Sequence, residues 1–152
     1  MTKASDVIAA LAGKTLATAE SCTGGMIGAA LTGVSGASKV YKGGVVSYCN
    51  EIKHSLLGVD ENMLQRLGAV SAPVAAAMAE GARKALNTDY AVSVTGLAGP
   101  DGDEDGNPVG TVFIGFADEK GAVSYAYCFA GNRQEVRDQA ADAALSIILK
   151  NV

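Results

Sequence analysis

The 152-residue sequence contains no tryptophan, only 5% aromatic residues and a single histidine, His54. Its hydrophobic core must therefore be built mostly from alanine, valine, leucine and isoleucine. No stretch reaches the roughly 18 uninterrupted apolar residues that a membrane-spanning helix requires. The N-terminal segment has only Lys3 ahead of a short amphipathic run, which predicts a first helix and not a signal peptide.

Histidine and cysteine are too scarce for several common sites. The three cysteines, Cys22, Cys49 and Cys128, are widely spaced and form no C-x-x-C pair, so a structural zinc site lacks ligands. An odd number of such cysteines is typical of reduced thiols, and we therefore expect a cytoplasmic protein. A Ser-His-Asp triad could use only His54 as its base.

The charge balance limits the possible partners. The chain has 12 Lys and Arg residues against 16 Asp and Glu residues, which gives a net charge of −4. A nucleic-acid-binding surface is normally basic, so direct binding of nucleic acid is not expected. The apolar fraction of 49% and the charged fraction of 18% are typical of a globular protein. The length predicts one domain over residues 1–152.

The apolar pattern predicts helices that alternate with strands. Strands are predicted at residues 15–19, 42–48, 90–95, 111–117 and 122–129. Helices are predicted at residues 5–12, 24–34, 51–57, 60–67, 71–86 and 132–149. Asp60 and Ser71 are expected to cap the fourth and fifth of these, and Asn132 and Glu135 to form a capping box at the start of the last. The last two strands are close enough to form an antiparallel hairpin. This order predicts a three-layer α/β/α sandwich around a mixed, mostly parallel sheet of about five strands.

Four reactive side chains follow the first predicted strand, in the segment TLATAESCTGGMIG. They are Glu20, Ser21, Cys22 and Thr23. The next two residues, Gly24 and Gly25, allow a substrate to approach the backbone at the start of a helix. The free amides there can bind a phosphate or stabilise the oxyanion of an acyl transfer. The alternative is that Ser21 or Thr23 only caps the helix.

Cys22 competes with Ser21 as the nucleophile, because a thiol at a helix N-terminus has a lowered pKa. Free cysteine is, however, usually a buried and inert apolar group. Neighbouring residues in a strand or tight turn point in different directions, so we expect only one of the two to face a cleft. The residues alone leave open which one does.

A second polar group lies in the segment SYCNEIKHSLLG, where a predicted strand gives way to a helix. It contains Tyr48, Asn50, Lys53 and His54. On a helix Asn50 and Lys53 share a face, whereas His54 is turned by roughly 100° from Lys53. Only one of Lys53 and His54 can therefore point at a common partner. The alternative is a solvated lysine and a surface histidine.

A glycine-rich loop is predicted over residues 96–109. The acidic run that begins at Asp101 resembles the first half of an EF-hand loop. Its twelfth position is Val112, where calcium needs a bidentate glutamate, so we do not expect a calcium site. The loop glycines, among them Gly96, permit tight turns close to a ligand.

Two arginines, Arg133 and Arg137, lie at the predicted start of the last helix. The helix dipole disfavours cations at this end, so an acidic group is expected to offset them. A ligand phosphate is one candidate, and Glu135 or Asp138 is the other. Arg137 is one turn inside the helix, and we expect it to point inward while Arg133 remains solvated.

Five segments together resemble the C-terminal domain of the CinA (competence/damage-inducible) family. They are TAESCTGG, GGVVSYCNEIKHSLLGV, GAVS, SVTGLAGPDG and PVGTVFIGF, and the likeness extends from residue 4 to residue 150. Stand-alone members of this family include nicotinamide mononucleotide deamidases. The resemblance implies an α/β/α fold and hydrolysis of the nicotinamide carboxamide to nicotinic acid mononucleotide and ammonia, in pyridine-nucleotide salvage.

The resemblance also implies the residues of the site. It implies a Ser–Lys pair that falls on Ser21 and Lys53, with no metal or other cofactor. By analogy it implies a homo-oligomer that acts on a small nucleotide. The alternative is a non-catalytic nucleotide-binding domain, or an interaction domain associated with competence or DNA damage. The substrate-binding set is expected to be Thr23, Gly24, Gly25, Tyr48, Asn50, Thr95, Gly96 and Arg137.

Overall fold

The structure is a computed structural model that describes residues 2–152. It contains every predicted strand and helix, and no bound differs from the prediction by more than two residues. The strands are β1 (Leu16–Glu20), β2 (Tyr41–Val46), β3 (Tyr90–Gly96), β4 (Thr111–Asp118) and β5 (Gly121–Cys128). The helices are α1 (Lys3–Ala10), α2 (Met26–Thr32), α3 (Asn50–Ser55), α4 (Glu61–Leu67), α5 (Ala72–Leu86) and α6 (Arg133–Asn151). None of these helices is both long enough and apolar enough to cross a membrane.

The five strands form one sheet in the order β2-β1-β3-β4-β5. Strand β1 pairs in parallel with both β2 and β3, whereas β4 runs antiparallel to its neighbours β3 and β5. The mixed, mostly parallel sheet with its C-terminal hairpin is therefore confirmed. Because β1, β2 and β3 are parallel, the residues that follow all three meet at the same edge of the sheet.

The sheet separates two hydrophobic cores, which confirms the three-layer prediction. Residues of α1, α2 and α6 pack on one face, and residues of α4 and α5 pack on the other. Side chains alternate along a strand, so Leu16 of β1 lies in the first core while Ala17 and Ala19 lie in the second. The same alternation sends the last side chain of β1 and the one after it to opposite faces of the sheet.

The helix ends follow the predicted capping in two of three places. The Asn132 side chain accepts from the Glu135 amide, and the Glu135 carboxylate accepts from the Asn132 amide, so the capping box of α6 is confirmed. Asp60 caps α4, as expected. Ser71 precedes α5 but does not cap it, because its hydroxyl donates to the carbonyl of Gly68 instead.

Candidate active site

Ser21 lies at the sheet edge where the three parallel strands end. Its amide donates to the carbonyl of Val94 over 3.0 Å, so the turn after β1 remains in register with β3. Ser21 is only 8% exposed, and it borders a cavity of about 450 Å³. The cavity has a size typical of small-molecule sites. Its polar lining residues are Ser21, Tyr48, Asn50, Lys53, Thr95, Asp101 and Arg133.

Lys53 reaches the same cavity from α3 and is 1% exposed. Its Nζ donates to Ser21 Oγ over 3.0 Å and to the carbonyl oxygen of Ser47 over 2.6 Å. Burial lowers the pKa of Lys53, which favours the neutral amine. The structure thus brings together a hydroxyl and a buried amine, the combination that a serine nucleophile and its general base require.

His54 is turned away from this pair. Its Nδ1 lies 2.8 Å from the carbonyl oxygen of Val59, and its Nε2 lies 3.5 Å from Glu61 Oε1. The imidazole does not line the cavity. Of the two candidates that the sequence left open, Lys53 is therefore the one beside Ser21, and a histidine-based triad is excluded by position.

Cys22 also borders the cavity, contrary to the expectation that only one of the two neighbours would do so. Burial raises the pKa of its thiol to about 11, so the thiol stays protonated at neutral pH. No base contacts it in the way that Lys53 Nζ contacts Ser21 Oγ, among the side chains of residues 2–152. The geometry favours Ser21 as the nucleophile and Cys22 as part of the wall.

The carboxylate of Glu20 occupies the start of α2, and the sequence reasoning missed this role. One oxygen accepts from the Thr23 hydroxyl (2.8 Å) and from the amides of Gly25 (3.2 Å) and Ile27 (2.9 Å). The other accepts from the amide of Gly28 over 3.0 Å. The alternative that Ser21 or Thr23 only caps the helix is therefore wrong, because the Glu20 carboxylate satisfies these donors.

The same contacts change the expected roles of the glycines. The Gly24 amide donates to the carbonyl of Ser21 over 3.1 Å, and the Gly25 amide is bound to Glu20. Neither glycine amide is therefore free for a substrate oxygen. Thr23 is completely buried, and its hydroxyl supports the turn instead of facing the cavity. Within residues 2–152, the amides of Cys22 and Thr23 donate to no protein acceptor.

Four other residues of the expected set do line the cavity. They are Tyr48, Asn50, Thr95 and Gly96. The Thr95 hydroxyl donates to the carbonyl of Ala69 over 2.8 Å, which ties the end of β3 to the segment before α5. The glycine-rich loop thus contributes one wall of the cavity, as its composition indicated.

Arg133 is exposed and Arg137 is partly buried, as expected, but Arg133 and not Arg137 lines the cavity. Arg133 lines the cavity, and its guanidinium donates to the carbonyl of Gly99 and to the Tyr48 hydroxyl. Arg137 does not line it, because its Nε donates to the carbonyl of Cys22 over 2.9 Å. Arg137 lies one helical turn after Arg133 on α6. Its side chain therefore contacts the backbone of the turn that follows Ser21 and does not reach the cavity.

The acidic loop is held by its own hydrogen bonds. The Asp103 carboxylate accepts from the amides of Asp105 and Asn107 and from Asn107 Nδ2. Within residues 2–152, no group of three His, Cys, Asp or Glu side chains is arranged to hold a metal ion.

Residues 2–152 match the model of the CinA C-terminal domain. The nicotinamide-nucleotide amidohydrolase PncC of Escherichia coli is 47% identical over 137 residues, which are 90% of this chain and 83% of the relative. A CinA-like protein of Geobacter sulfurreducens is 51% identical over 133 residues, which are 88% of this chain but only 32% of the relative. The chain therefore spans about a third of that longer protein.

Solved structures agree with the sequence relatives. A CinA-superfamily protein from Escherichia coli superimposes with a TM-score of 0.91 at 36% identity, covering 97% of this chain and 85% of the other. A competence/damage-inducible protein from Agrobacterium tumefaciens superimposes with a TM-score of 0.93 at 36% identity, covering 97% and 92%. The fold and site thus define an α/β protein with a buried Ser–Lys pair. The chain belongs to the CinA C-terminal domain family.

Proposed function

We propose that this chain is an amidohydrolase that converts nicotinamide mononucleotide to nicotinic acid mononucleotide and ammonia, within pyridine-nucleotide salvage. The observation that carries the proposal is the Ser21–Lys53 contact of 3.0 Å inside a cavity large enough for a small ligand. The Escherichia coli relative named as a nicotinamide-nucleotide amidohydrolase supports the substrate. We also propose that residues 1–152 act as one domain.

In the first half of the proposed reaction, neutral Lys53 accepts the hydroxyl proton of Ser21 while Ser21 Oγ attacks the carboxamide carbon. The carbonyl π electrons move to the oxygen and form an oxyanion. The amide of Cys22 is the donor left for this oxygen, because Cys22 borders the cavity and the amides of Gly24 and Gly25 are already paired. Collapse of the intermediate breaks the C–N bond, and the Lys53 ammonium gives its proton to the departing ammonia.

In the second half, water attacks the acyl ester on Ser21 and gives a proton to Lys53. The C–O bond to Ser21 then breaks, the proton returns to Ser21 Oγ, and the nicotinate product leaves. Ser47 has a positioning role in both halves, because its carbonyl oxygen accepts from Lys53 Nζ over 2.6 Å. This contact holds the amine against Ser21 through a backbone group.

The phosphate of the substrate requires a cation in a protein of net charge −4. Arg133 meets this requirement, because it is the arginine that lines the cavity. It already bridges Tyr48 and the loop carbonyl of Gly99 across the mouth. We assign the phosphate to Arg133 and the carboxamide end to Ser21, with Tyr48 and Asn50 along the wall between them.

Arg133→Ala should raise KM for nicotinamide mononucleotide by about 10- to 100-fold, since a charge-assisted hydrogen bond contributes about 1.5–3 kcal/mol. The phosphate-free riboside never uses this contact, so its kcat/KM should change less than about threefold. Steady-state ammonia release from both substrates measures the difference. Arg137→Ala is the matched control, and we expect it to lower kcat on both substrates equally. Equal losses for both substrates in Arg133→Ala would contradict the assignment.

Ammonia release from nicotinamide mononucleotide by the purified protein tests the proposed function directly. Formation of nicotinic acid mononucleotide in equal amount should accompany it. Saturable binding of the mononucleotide with no ammonia would instead support a non-catalytic nucleotide-binding domain. No binding at all would support an interaction domain.

A further inference from the structure

We infer that Glu20 is a positioning residue, whose carboxylate takes the place of a bound anion behind the nucleophile and fixes the turn that presents Ser21. The inference rests on the proposed function for its kinetic readout. It concerns a residue that faces away from the active cavity, on the other side of the sheet.

The alternation of side chains separates the two roles. Glu20 ends β1, and its side chain lies on the α2 face together with Leu16 and Thr18 of the same strand. Ser21 follows on the opposite side, towards Lys53. Ser21 therefore provides the hydroxyl that faces Lys53, and Glu20 directly before it provides the carboxylate that supports the turn.

Glu20 is 2% exposed, and its carboxylate has four neutral donors: one oxygen accepts three hydrogen bonds and the other accepts one. These donors belong to Thr23, Gly25, Ile27 and Gly28, so the contacts close a loop from the end of β1 to the first turn of α2. A buried carboxylate bound by several donors resists displacement, because losing any of them leaves a desolvated polar group. Ser21 lies inside this closed loop.

The backbone of Glu20 also connects to the base. Its carbonyl accepts from the Ser47 amide over 2.8 Å and from the Ser47 hydroxyl over 3.4 Å. The carbonyl of Ser47 in turn accepts from Lys53 Nζ. One residue is therefore linked through its side chain to the turn of the nucleophile, and through its main chain to the residue that holds the base.

The Glu20 side chain borders a separate small cavity of about 160 Å³, which Thr18 and Tyr41 also line. Glu20 is absent from the lining of the active cavity. A substrate in that cavity would therefore not contact the carboxylate. Substitution of Glu20 should therefore change kcat and not KM. This result would distinguish a positioning residue from a residue that binds the substrate.

Glu20→Ala should lower kcat by about 100-fold, the effect of displacing a reacting group by about 1 Å. KM for nicotinamide mononucleotide should change less than about threefold. The rate at which phenylmethylsulfonyl fluoride modifies Ser21, followed by intact mass, should fall in parallel. Added acetate should restore part of both rates by occupying the space that the side chain leaves. Thr18→Val, at a residue that borders the same small cavity and makes no hydrogen bond to the Glu20 carboxylate, should match wild type.

Glu20→Gln keeps the size and one acceptor oxygen, so it decides the question if the alanine variant does not fold. It should lower kcat by about tenfold or more, because an NH₂ group then faces donors. A folded variant with wild-type kcat would overturn the inference, as would a rise in KM alone or an unchanged rate of Ser21 modification. If wild-type protein releases no ammonia, the proposed function fails, whereas the modification rates still test Glu20.

Discussion

Ser21→Ala is expected to lower ammonia release from nicotinamide mononucleotide by at least about 10⁴-fold, because it removes the only hydroxyl that contacts the Lys53 amine among residues 2–152. The fold should persist, since Ser21 holds its place through its backbone amide on Val94. Coupled ammonia detection measures the loss, and a thermal melt checks the fold. Binding of the mononucleotide should persist, because the phosphate contact that we assign to Arg133 does not involve the Ser21 hydroxyl.

Cys22→Ala is the matched control, since it changes the neighbouring residue at the same cavity. It should retain at least about a third of the wild-type kcat, because burial raises the pKa of the Cys22 thiol to about 11 and leaves it protonated. The alanine still presents the backbone amide that we assign to the oxyanion. An inactive Cys22 variant beside an active Ser21 variant would reverse the assignment and make this a thiol enzyme.

Local sequence patterns were sufficient to predict the helices and strands. Apolar periodicity, the turn between β4 and β5, and the Asn132–Glu135 capping box are all local signals, and each has its counterpart in the structure. The order of strands in the sheet is not local, so it could be expected only from general rules of α/β folds and from the family resemblance. Both led to the correct mixed sheet.

The site was harder to predict from the sequence than the fold, because several of its important contacts involve backbone groups. The carbonyl of Ser47 that holds Lys53 has no signature in the sequence. The choice between Arg133 and Arg137 depends on which turn of α6 lies beside the glycine-rich loop, and helical spacing cannot give that distance. Helical spacing placed Lys53 and His54 on different faces of α3, but only the fold shows which of these faces lies beside Ser21.

Glu20 was the one missed residue that the sequence could have indicated. Side chains alternate along β1, so a carboxylate directly before Ser21 must point to the opposite face of the sheet. The following helix begins on that face with several unpaired amides. An acid at this position is thus a natural partner for those amides, which leaves the helix start unavailable to the substrate phosphate and directs attention to Arg133 at the cavity.

Lys53→Met is expected to lower kcat by about 10²–10⁴-fold, the usual contribution of a general base. The methionine is also apolar and of similar length, so it should keep the buried space filled and the fold intact. The physical reason for the loss is that Ser21 would have no amine to accept its proton at 3.0 Å. A thermal melt and the KM for the mononucleotide, which should stay near wild type, separate the loss of the base from a loss of structure.

The pH dependence of kcat/KM identifies the base. Lys53 can accept the serine proton only when it is neutral, so the rate of the wild-type protein should rise with pH and then level off. Burial lowers the pKa of Lys53, so this rise should be centred below the range of an ordinary lysine. Lys53→Arg should not restore activity, because its guanidinium stays charged. The acidic limb should be unchanged in His54→Ala, whereas its disappearance there would make histidine the base.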